Sequence, residues 1–281
     1  MVGDSRVVKV REVDIKEPGW HVKHRSRSGA SMEEIEKIVE EVFQEGRWNP
    51  DAIIIFGMMV DICYKTKIER GMMMGIKKEV LDDNYKSYPN LNGVEEKVKK
   101  MTKIFKLMWA GVEVFWVLPY PIDFLQYNTC KKMVTYQEGL IIFSEEEKCR
   151  DLKNTYTAYL YFQRLEEIME SLVGKDRIFL YRKHCEATLK PNMMTTTTYM
   201  KKIKEGHLGL GRVFPAGLSD GLHATLAPAI TLMQEILKKV RKVLNPDNCK
   251  YKIVRPHIKV NTNMYLPGPV VKPTVPTYIY K

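Results

Sequence analysis

The sequence predicts an α/β protein, specifically a three-layer α/β/α sandwich with a mostly parallel central sheet. Residues 52–56 (AIIIF) and 112–118 (VEVFWVL) form two apolar runs rich in β-branched and aromatic side chains. Such runs are typical of strands that are buried on both faces of a sheet. Helical periodicity separates these runs and follows them. Strands that alternate with helices of ten or more residues indicate βαβ units, whose strands are parallel.

The predicted elements follow in a regular order. A strand at residues 20–25 precedes a helix, one face of which carries Met32, Ile35, Val39 and Val42. A basic amphipathic helix at 94–109 connects the two buried strands. A helix at 152–172, a third strand at 177–181 and a last helix ending before Pro246 complete the body. We find no internal repeat and predict one domain at residues 1–249.

Composition excludes several classes of protein. No apolar run approaches the ~20 residues of a membrane-spanning helix, and no signal peptide is recognised. The number of cysteines is odd and none has the spacing of a zinc site. We therefore expect no metal and no cofactor, and an intracellular, cytoplasmic protein, with the nucleus as the alternative. The five cysteines are Cys63, Cys130, Cys149, Cys185 and Cys249.

Positive charge is concentrated at the end of the chain. The 281 residues carry 45 basic and 34 acidic side chains, a net charge of +11. Residues 250–281 form a proline-containing tail with six basic residues and no acidic one. We interpret this tail as an extended basic arm able to contact phosphate groups, with a solvated appendage lying on the body as the alternative.

Three segments carry residues suited to nucleophilic catalysis. They are Gly3-Asp4-Ser5 near the start, Ser28-Gly29 after the predicted strand at 20–25, and Asp220-Gly221-Leu222-His223 before the last helix. A serine nucleophile needs a base to take its proton, and the base needs a carboxylate to orient its imidazole. Because ligand sites in parallel sheets lie at the carboxyl ends of the strands, these segments are the candidate site.

In their order and spacing these segments resemble the blocks of the SGNH (GDSL) hydrolase family, together with residues 54–61 as the third block. The resemblance covers about residues 1–244 and implies a flavodoxin-like strand order. It implies that Ser5 is the nucleophile, His223 the general base and Asp220 its orienting carboxylate. It also implies an oxyanion hole formed by the backbone amides of Ser5 and Gly29 and a side-chain amide from the third block. The substrate would be a small-molecule or lipid ester.

The sequence departs from this family at two places. The third block should read Gly-x-Asn-Asp, but Gly57 is followed by Met58, Met59 and Val60, whose side chains cannot donate to an oxyanion. Loss of one such donor typically lowers the rate by about 10²–10³. We place these four residues at the rim of the substrate pocket, where packing is favoured over contact with an acyl chain. Only Met1 and Val2 precede the first block, so we expect a stub in place of a full first strand, or a chain that begins inside a longer protein.

Basic side chains suggest a second function. Two sets share one helix face each and would bind nucleic acid, assisted by the tail and its tyrosines. The alternative to an esterase is therefore a non-catalytic SGNH-like domain that binds RNA, as in Oskar or in retroelement reading frames. A solvated helix exterior is the simpler explanation of either set. The sets are Lys99, Lys103 and Lys106, and Lys238, Arg241 and Lys242.

Overall fold

The structure, a computed structural model, describes residues 1–11, 13–15, 19–65, 73–76, 92–120, 122–135, 144–187, 221–245 and 258–260. It contains a five-stranded parallel sheet whose strands have the order β3-β1-β4-β7-β8. When the five strands are numbered by their order along the chain, they lie side by side in the order 2-1-3-4-5, which is the flavodoxin-like arrangement. The predicted three-layer α/β/α fold is confirmed. The sheet consists of β1 (Val2–Gly3), β3 (Arg25–Ser26), β4 (Ala52–Phe56), β7 (Glu113–Leu118) and β8 (Ile178–Leu180).

Helices cover both faces of the sheet, because successive side chains of a buried strand point to opposite sides. Ile53 and Ile55 of β4 belong to one apolar cluster, whereas Ile54 and Phe56 belong to the other. The first cluster includes residues of α2 (Met32–Gln44), α4 (Asn92–Met108), α5 (Phe124–Thr135) and α6 (Glu145–Val173). The second includes residues of α1 (Arg6–Arg11), α7 (Tyr181–Ala187) and α8 (Leu226–Leu244).

Helix boundaries follow from local signals in the sequence. Ser31 caps α2 and Ser144 caps α6, each in a reciprocal pair with the glutamate three residues later. Gly174 ends α6 with a φ of 85°, a conformation that favours glycine. The helices predicted at 94–109 and 152–172 are confirmed, although α6 begins seven residues earlier, at Glu145.

The first strand is a stub of two residues, yet it is paired on both sides. Val2 and Gly3 lie in parallel register with Arg25 and Ser26 of β3 and with Ile55 and Phe56 of β4. A Cβ atom at residue 3 would lie 2.3 Å from the carbonyl oxygen of Phe56. Only glycine therefore allows the two strands to approach this closely.

Two predictions differ from the structure at the edges of the sheet. The strand predicted at 20–25 is wrong for residues 20–24, since β3 begins at Arg25 and has only two residues. Part of the predicted tail also pairs with the body: β9 (Ile258–Val260) runs antiparallel to β2 (Val13–Ile15). The rest of the tail lies outside the described residues, so its role as an arm stays a prediction.

The remaining elements adjoin the end of β4. The short helix α3 (Met59–Ile62) leads into a hairpin formed by β5 (Cys63–Lys65) and β6 (Met73–Ile76). Within the described part of the chain, no helix is long and apolar enough to cross a membrane.

Candidate active site

Ser5 lies at the carboxyl end of β1, in the turn that leads into α1. The helices that follow β1 and β3, α1 and α2, pack on opposite faces of the sheet. The chain that leaves β1 enters α1 on one face, whereas the chain that leaves the neighbouring strand β4 leads to α4 on the other face. β1 and β4 therefore form the topological switch point of the sheet, the place where open parallel sheets bind ligands. The short first strand thus places the predicted nucleophile where the fold favours a ligand.

The structure brings Ser5 and His223 together across 218 positions of sequence. Oγ of Ser5 lies 2.9 Å from Nε2 of His223, and both residues are partly buried. With Nε2 unprotonated, the serine hydroxyl donates to it, which is the arrangement a general base requires. A chance meeting of two surface side chains would not be expected at this edge of the sheet.

His223 is held by a loop that packs tightly against the start of α5. The amide of Asp123 donates to the carbonyl oxygen of Gly221 (2.9 Å). Gly221 has a φ of 82°, and a Cβ atom there would lie 2.7 Å from the carbonyl oxygen of Asp123 and 2.8 Å from the amide nitrogen of Tyr127. Leu222 is buried in the core, so the backbone on the amino-terminal side of His223 is fixed by both packing and hydrogen bonding.

A buried ion pair fixes the turn that carries Ser5. Nε of Arg6 lies 2.9 and 3.1 Å from the two carboxylate oxygens of Asp4, and Nη2 lies 2.7 Å from Oδ2. The same Nη2 donates to the carbonyl oxygen of Gly57 at 2.7 Å. Asp4 and Arg6 are only 3% and 4% exposed. We call this arrangement the Asp4–Arg6 clamp; it joins the residues that follow β1 to those that follow β4.

Two buried polar atoms, one in the clamp and one near it, have no hydrogen-bond partner within the described residues. They are Nη1 of Arg6 and the hydroxyl of Tyr181. Burial raises the pKa of Tyr181, and the nearby thiol of Cys185 raises it further, while the positive charge of Arg6 opposes the shift. Tyr181 is therefore a neutral phenol at physiological pH.

The two backbone amides assigned to the oxyanion hole are those of Ser5 and Gly29. Within the described chain, neither the amide of Ser5 nor that of Gly29 donates to a protein acceptor. Gly29 lies in a turn with a φ of 68°, and the amide of Arg27 donates to the carbonyl oxygen of Gly3 (3.0 Å), which ties this turn to the end of β1. Their role in binding an oxyanion stays a prediction.

The third block contributes packing and a backbone turn. Met58 and Met59 are buried in the core, Val60 is partly exposed, and Met58 adopts a left-handed conformation with a φ of 77°. Asp61 accepts a hydrogen bond from the amide of Met32 (2.9 Å) and pairs with Lys97 (3.0 Å). The buried methionines act as core residues, and their assignment to a pocket rim stays a prediction.

The third member of the predicted triad, Asp220, lies outside the described residues. Asn128 is fully buried, and its side-chain amide donates to Asp151 (2.9 Å). No motif in the sequence singles out Arg6, the residue that anchors Asp4. An arginine two positions after the aspartate of such a turn is the one signal that could have suggested the clamp.

The two basic sets predicted to bind nucleic acid do not share a surface. Lys99, Lys103 and Lys106 lie on α4, and Lys238, Arg241 and Lys242 lie on α8, which covers the opposite face of the sheet. Lys242 pairs with Asp176 at 3.2 Å, and the guanidinium of Arg241 lies over the ring of Trp20. A single polyanion would have to pass around an edge of the sandwich to contact both sets.

The fold and the serine–histidine pair together define a flavodoxin-like α/β sandwich with a potential nucleophile at its switch point. No group of three metal-ligating side chains occurs in the part of the chain that the structure describes. Comparison with protein-family models and with curated proteins found no match. The function is therefore argued from the geometry of the site.

Proposed function

We propose that the protein is a serine ester hydrolase that cleaves a small acyl or acetyl ester through Ser5, with His223 as the base. The proposal rests on one observation, the 2.9 Å separation between Oγ of Ser5 and Nε2 of His223. The position of this pair at the topological switch point between β1 and β4 supports it. The resemblance of the ordered motifs to SGNH hydrolases agrees with the same assignment.

In the proposed reaction, Oγ of Ser5 attacks the carbonyl carbon of the ester while Nε2 of His223 takes the hydroxyl proton. The amides of Ser5 and Gly29 stabilise the resulting oxyanion. His223 then returns the proton to the departing alkoxide, which leaves as an alcohol. A water molecule, deprotonated by His223, hydrolyses the acyl-serine, releases the carboxylic acid and regenerates Ser5.

The third block, at Gly57–Val60, lacks the side-chain amide that would be a third oxyanion donor. Two backbone donors remain, so we expect a slow enzyme rather than an inactive one, with a rate about 10²–10³ below that of a site with all three donors. The Asp4–Arg6 clamp partly offsets this loss because it keeps the serine turn rigid, and preorganised dipoles are not reorganised during the reaction.

Hydrolysis of p-nitrophenyl acetate by the full chain tests the proposal. Ser5→Ala and His223→Gln should each lower kcat by at least about 10². Ser26→Ala is the matched control, since Ser26 is an exposed serine on β3 and should leave the rate unchanged. A fluorophosphonate probe, followed by peptide mass spectrometry, should label Ser5. Equal rates for the wild type and Ser5→Ala would reject the proposal, because exposed histidines also hydrolyse such esters slowly.

A second candidate function is binding of single-stranded RNA along α4. Lys99, Lys103 and Lys106 line a shallow groove of about 430 Å³ beside the end of α6. Within the described chain, Lys103 and Lys106 have no carboxylate partner. Lysines that neutralise phosphates release counterions, and each contributes about 0.7 to the salt dependence of single-strand binding.

A salt titration of RNA binding separates this candidate from nonspecific attraction to a basic protein. The double variant Lys103→Ala/Lys106→Ala should reduce the slope of log K against log salt by about 1.4. The control Lys37→Ala/Lys153→Ala removes the same charge from exposed positions on α2 and α6. Equal slopes for the two double variants would rule out binding along α4.

A further inference from the structure

A large cavity lies at the amino-terminal edge of the parallel sheet, at the opposite ends of the strands from Ser5. Its volume is about 740 Å³, and it is lined by the first residues of β1 and β4 and by the last turns of α2 and α8. This volume falls within the range of small-molecule binding pockets, about 300–1,000 Å³. No step of the proposed hydrolysis uses this cavity.

Three of the four tryptophans of the protein line this cavity: Trp20, Trp48 and Trp109. Trp109 is buried, and its indole N–H donates to the carbonyl oxygen of Trp48 (2.8 Å), which fixes the two residues together. Trp20 and Trp48 remain partly exposed to the cavity. Partly exposed indole rings that face a cavity are suited to stacking against a planar aromatic ligand.

Cationic side chains accompany the exposed tryptophans. The ammonium group of Lys23 lies over the ring of Trp48, and the guanidinium of Arg241 lies 5.8 Å from the centre of the Trp20 ring. Within the described residues, Lys23 has no carboxylate partner, whereas Glu45 is already engaged by Arg25 and by the indole of Trp48. Among the described residues that line the cavity, Asp51 has the one carboxylate, and Lys23 and Arg241 outnumber it, so the rim carries a net positive charge that attracts an anion.

The ends of the lining helices add hydrogen-bond acceptors. The carbonyl group of Glu41 in α2 accepts from the amide of Glu45, and that of Arg241 in α8 accepts from the amide of Asn245. Val42 and Leu244 line the cavity, and their carbonyl groups have no backbone donor among the described residues. Such carbonyls repel an anion but accept hydrogen bonds from amino groups. The cavity therefore combines aromatic surfaces, acceptors for N–H groups and cations at its rim, and one ligand chemistry satisfies all three.

We propose that this cavity binds a nucleoside phosphate, with the base stacked on Trp20 or Trp48 and the phosphate at Lys23 and Arg241. The exocyclic amino group of the base donates to the helix-end carbonyls. The ligand is either a free nucleotide or one unit of a single strand, since both present the same base and phosphate. This cavity lies at the opposite ends of the strands from Ser5, and ligand binding there does not depend on hydrolytic activity.

Calorimetric titration of the full chain with AMP, adenosine, inorganic phosphate and an oligoadenylate of eight residues tests the proposal. AMP or the oligonucleotide should bind and should quench tryptophan fluorescence, because three of the four indoles surround the cavity. Adenosine and phosphate should each bind at least tenfold more weakly than AMP. Binding of the oligonucleotide but not of AMP would identify the strand as the source of the ligand.

Two variants assign the binding to the cavity. Trp20→Ala and Arg241→Ala should each weaken binding of the preferred ligand on the order of tenfold, as loss of a stacked base or a phosphate contact does. Lys183→Ala is the matched control, because Lys183 is an exposed residue of α7 that does not line the cavity. Far-UV circular dichroism establishes that each variant is folded. Absence of binding by every ligand at millimolar concentration, or equal affinity of the control and both cavity variants, overturns the proposal.

Discussion

The Asp4–Arg6 clamp provides the most direct test of how the turn around Ser5 is stabilised. In Arg6→Met, a side chain of similar length replaces the guanidinium, and the carboxylate of Asp4 loses every side-chain donor that Arg6 supplies. Among the described residues, the only hydrogen-bond donor that it keeps is the backbone amide of residue 6, at 3.0 Å. The carbonyl oxygen of Gly57 loses the guanidinium as well. An almost fully buried charge is then left without its counterion.

The expected cost is large because the charge cannot reach water. Removal of one partner of a buried ion pair typically costs about 3–5 kcal/mol, a large fraction of the 5–15 kcal/mol by which native proteins are stable. Urea unfolding followed by far-UV circular dichroism should therefore shift its midpoint by more than about 1 M. Arg6→Lys keeps the charge but not the planar fork, so it should fall between Arg6→Met and the wild type.

A double variant separates the pair from the packing around it. Asp4→Leu/Arg6→Met removes both charges, and exchange of a buried ion pair for apolar side chains is often neutral. We expect its free energy of unfolding to lie within about 2 kcal/mol of the wild type, well above that of Arg6→Met. A loss below about 1 kcal/mol in Arg6→Met, or additive losses in the double variant, would refute the reasoning.

Three further predictions concern other parts of the molecule. Gly221→Ala should lower the free energy of unfolding by about 2–4 kcal/mol, because its Cβ would press on the backbone at Asp123. It should also lower the esterase activity below that of the wild type. A calorimetric Tm equal to that of the wild type would contradict this prediction. The pKa of Glu235 falls to about 2 although burial opposes the shift, because hydrogen bonds from His184 and from a neighbouring lysine outweigh it. Since the folded pKa lies below the unfolded value of 4.5, this carboxylate stabilises the protein above pH 4.5 and loses the effect as the pH falls to about 2. The difference in Tm between the wild type and Glu235→Gln should therefore shrink as the pH falls through that interval. A constant difference in Tm would be evidence against this contribution of Glu235. Val60→Asn, at a partly exposed position, should raise kcat on p-nitrophenyl acetate by up to about 10² if its amide reaches the oxyanion; an unchanged rate would place residue 60 away from the site.

The sequence predicted the elements whose patterns are long and regular. β4 and β7 are recognisable because both faces of each strand are buried, which makes the sequence apolar at every position except Glu113, the first residue of β7. α8 is recognisable because its apolar residues repeat at helical spacing and all face one side of the sheet. Their order along the chain was sufficient to predict a parallel sheet with helices on both faces.

Short elements carried no such signal. β1 consists of two residues, and its place between β3 and β4 depends on strands that follow it along the chain. The sequence predicts a strand at residues 20–25, but within the described residues only Arg25 and Ser26 of this region pair with β1. Pairing partners, which the local sequence does not specify, decide such cases.

The serine and histidine of the candidate site were predictable from motifs, whereas the group that anchors the serine turn was not. Ser5 and His223 belong to recognisable blocks, and the structure places their side chains in contact. Arg6 follows the serine directly and would be read as an exposed cation at the start of a helix, since arginine is rarely fully buried unless it is paired. Its burial depends on Asp4 and on a carbonyl oxygen 51 positions away in sequence.

The loop that follows β4 contains residues of the third block and is also contacted by the Asp4–Arg6 clamp. Met58 holds a left-handed conformation, which costs a residue with a side chain about 1–2 kcal/mol. This conformation persists because the carbonyl group just before it, that of Gly57, is held by Arg6, and because the Met58 side chain is buried in the core. The loop that lacks an oxyanion-binding amide is therefore fixed by backbone contacts and packing. Its shape does not depend on a polar side chain at residue 60, and for this reason we expect a single polar side chain placed there to raise the rate without remodelling the site.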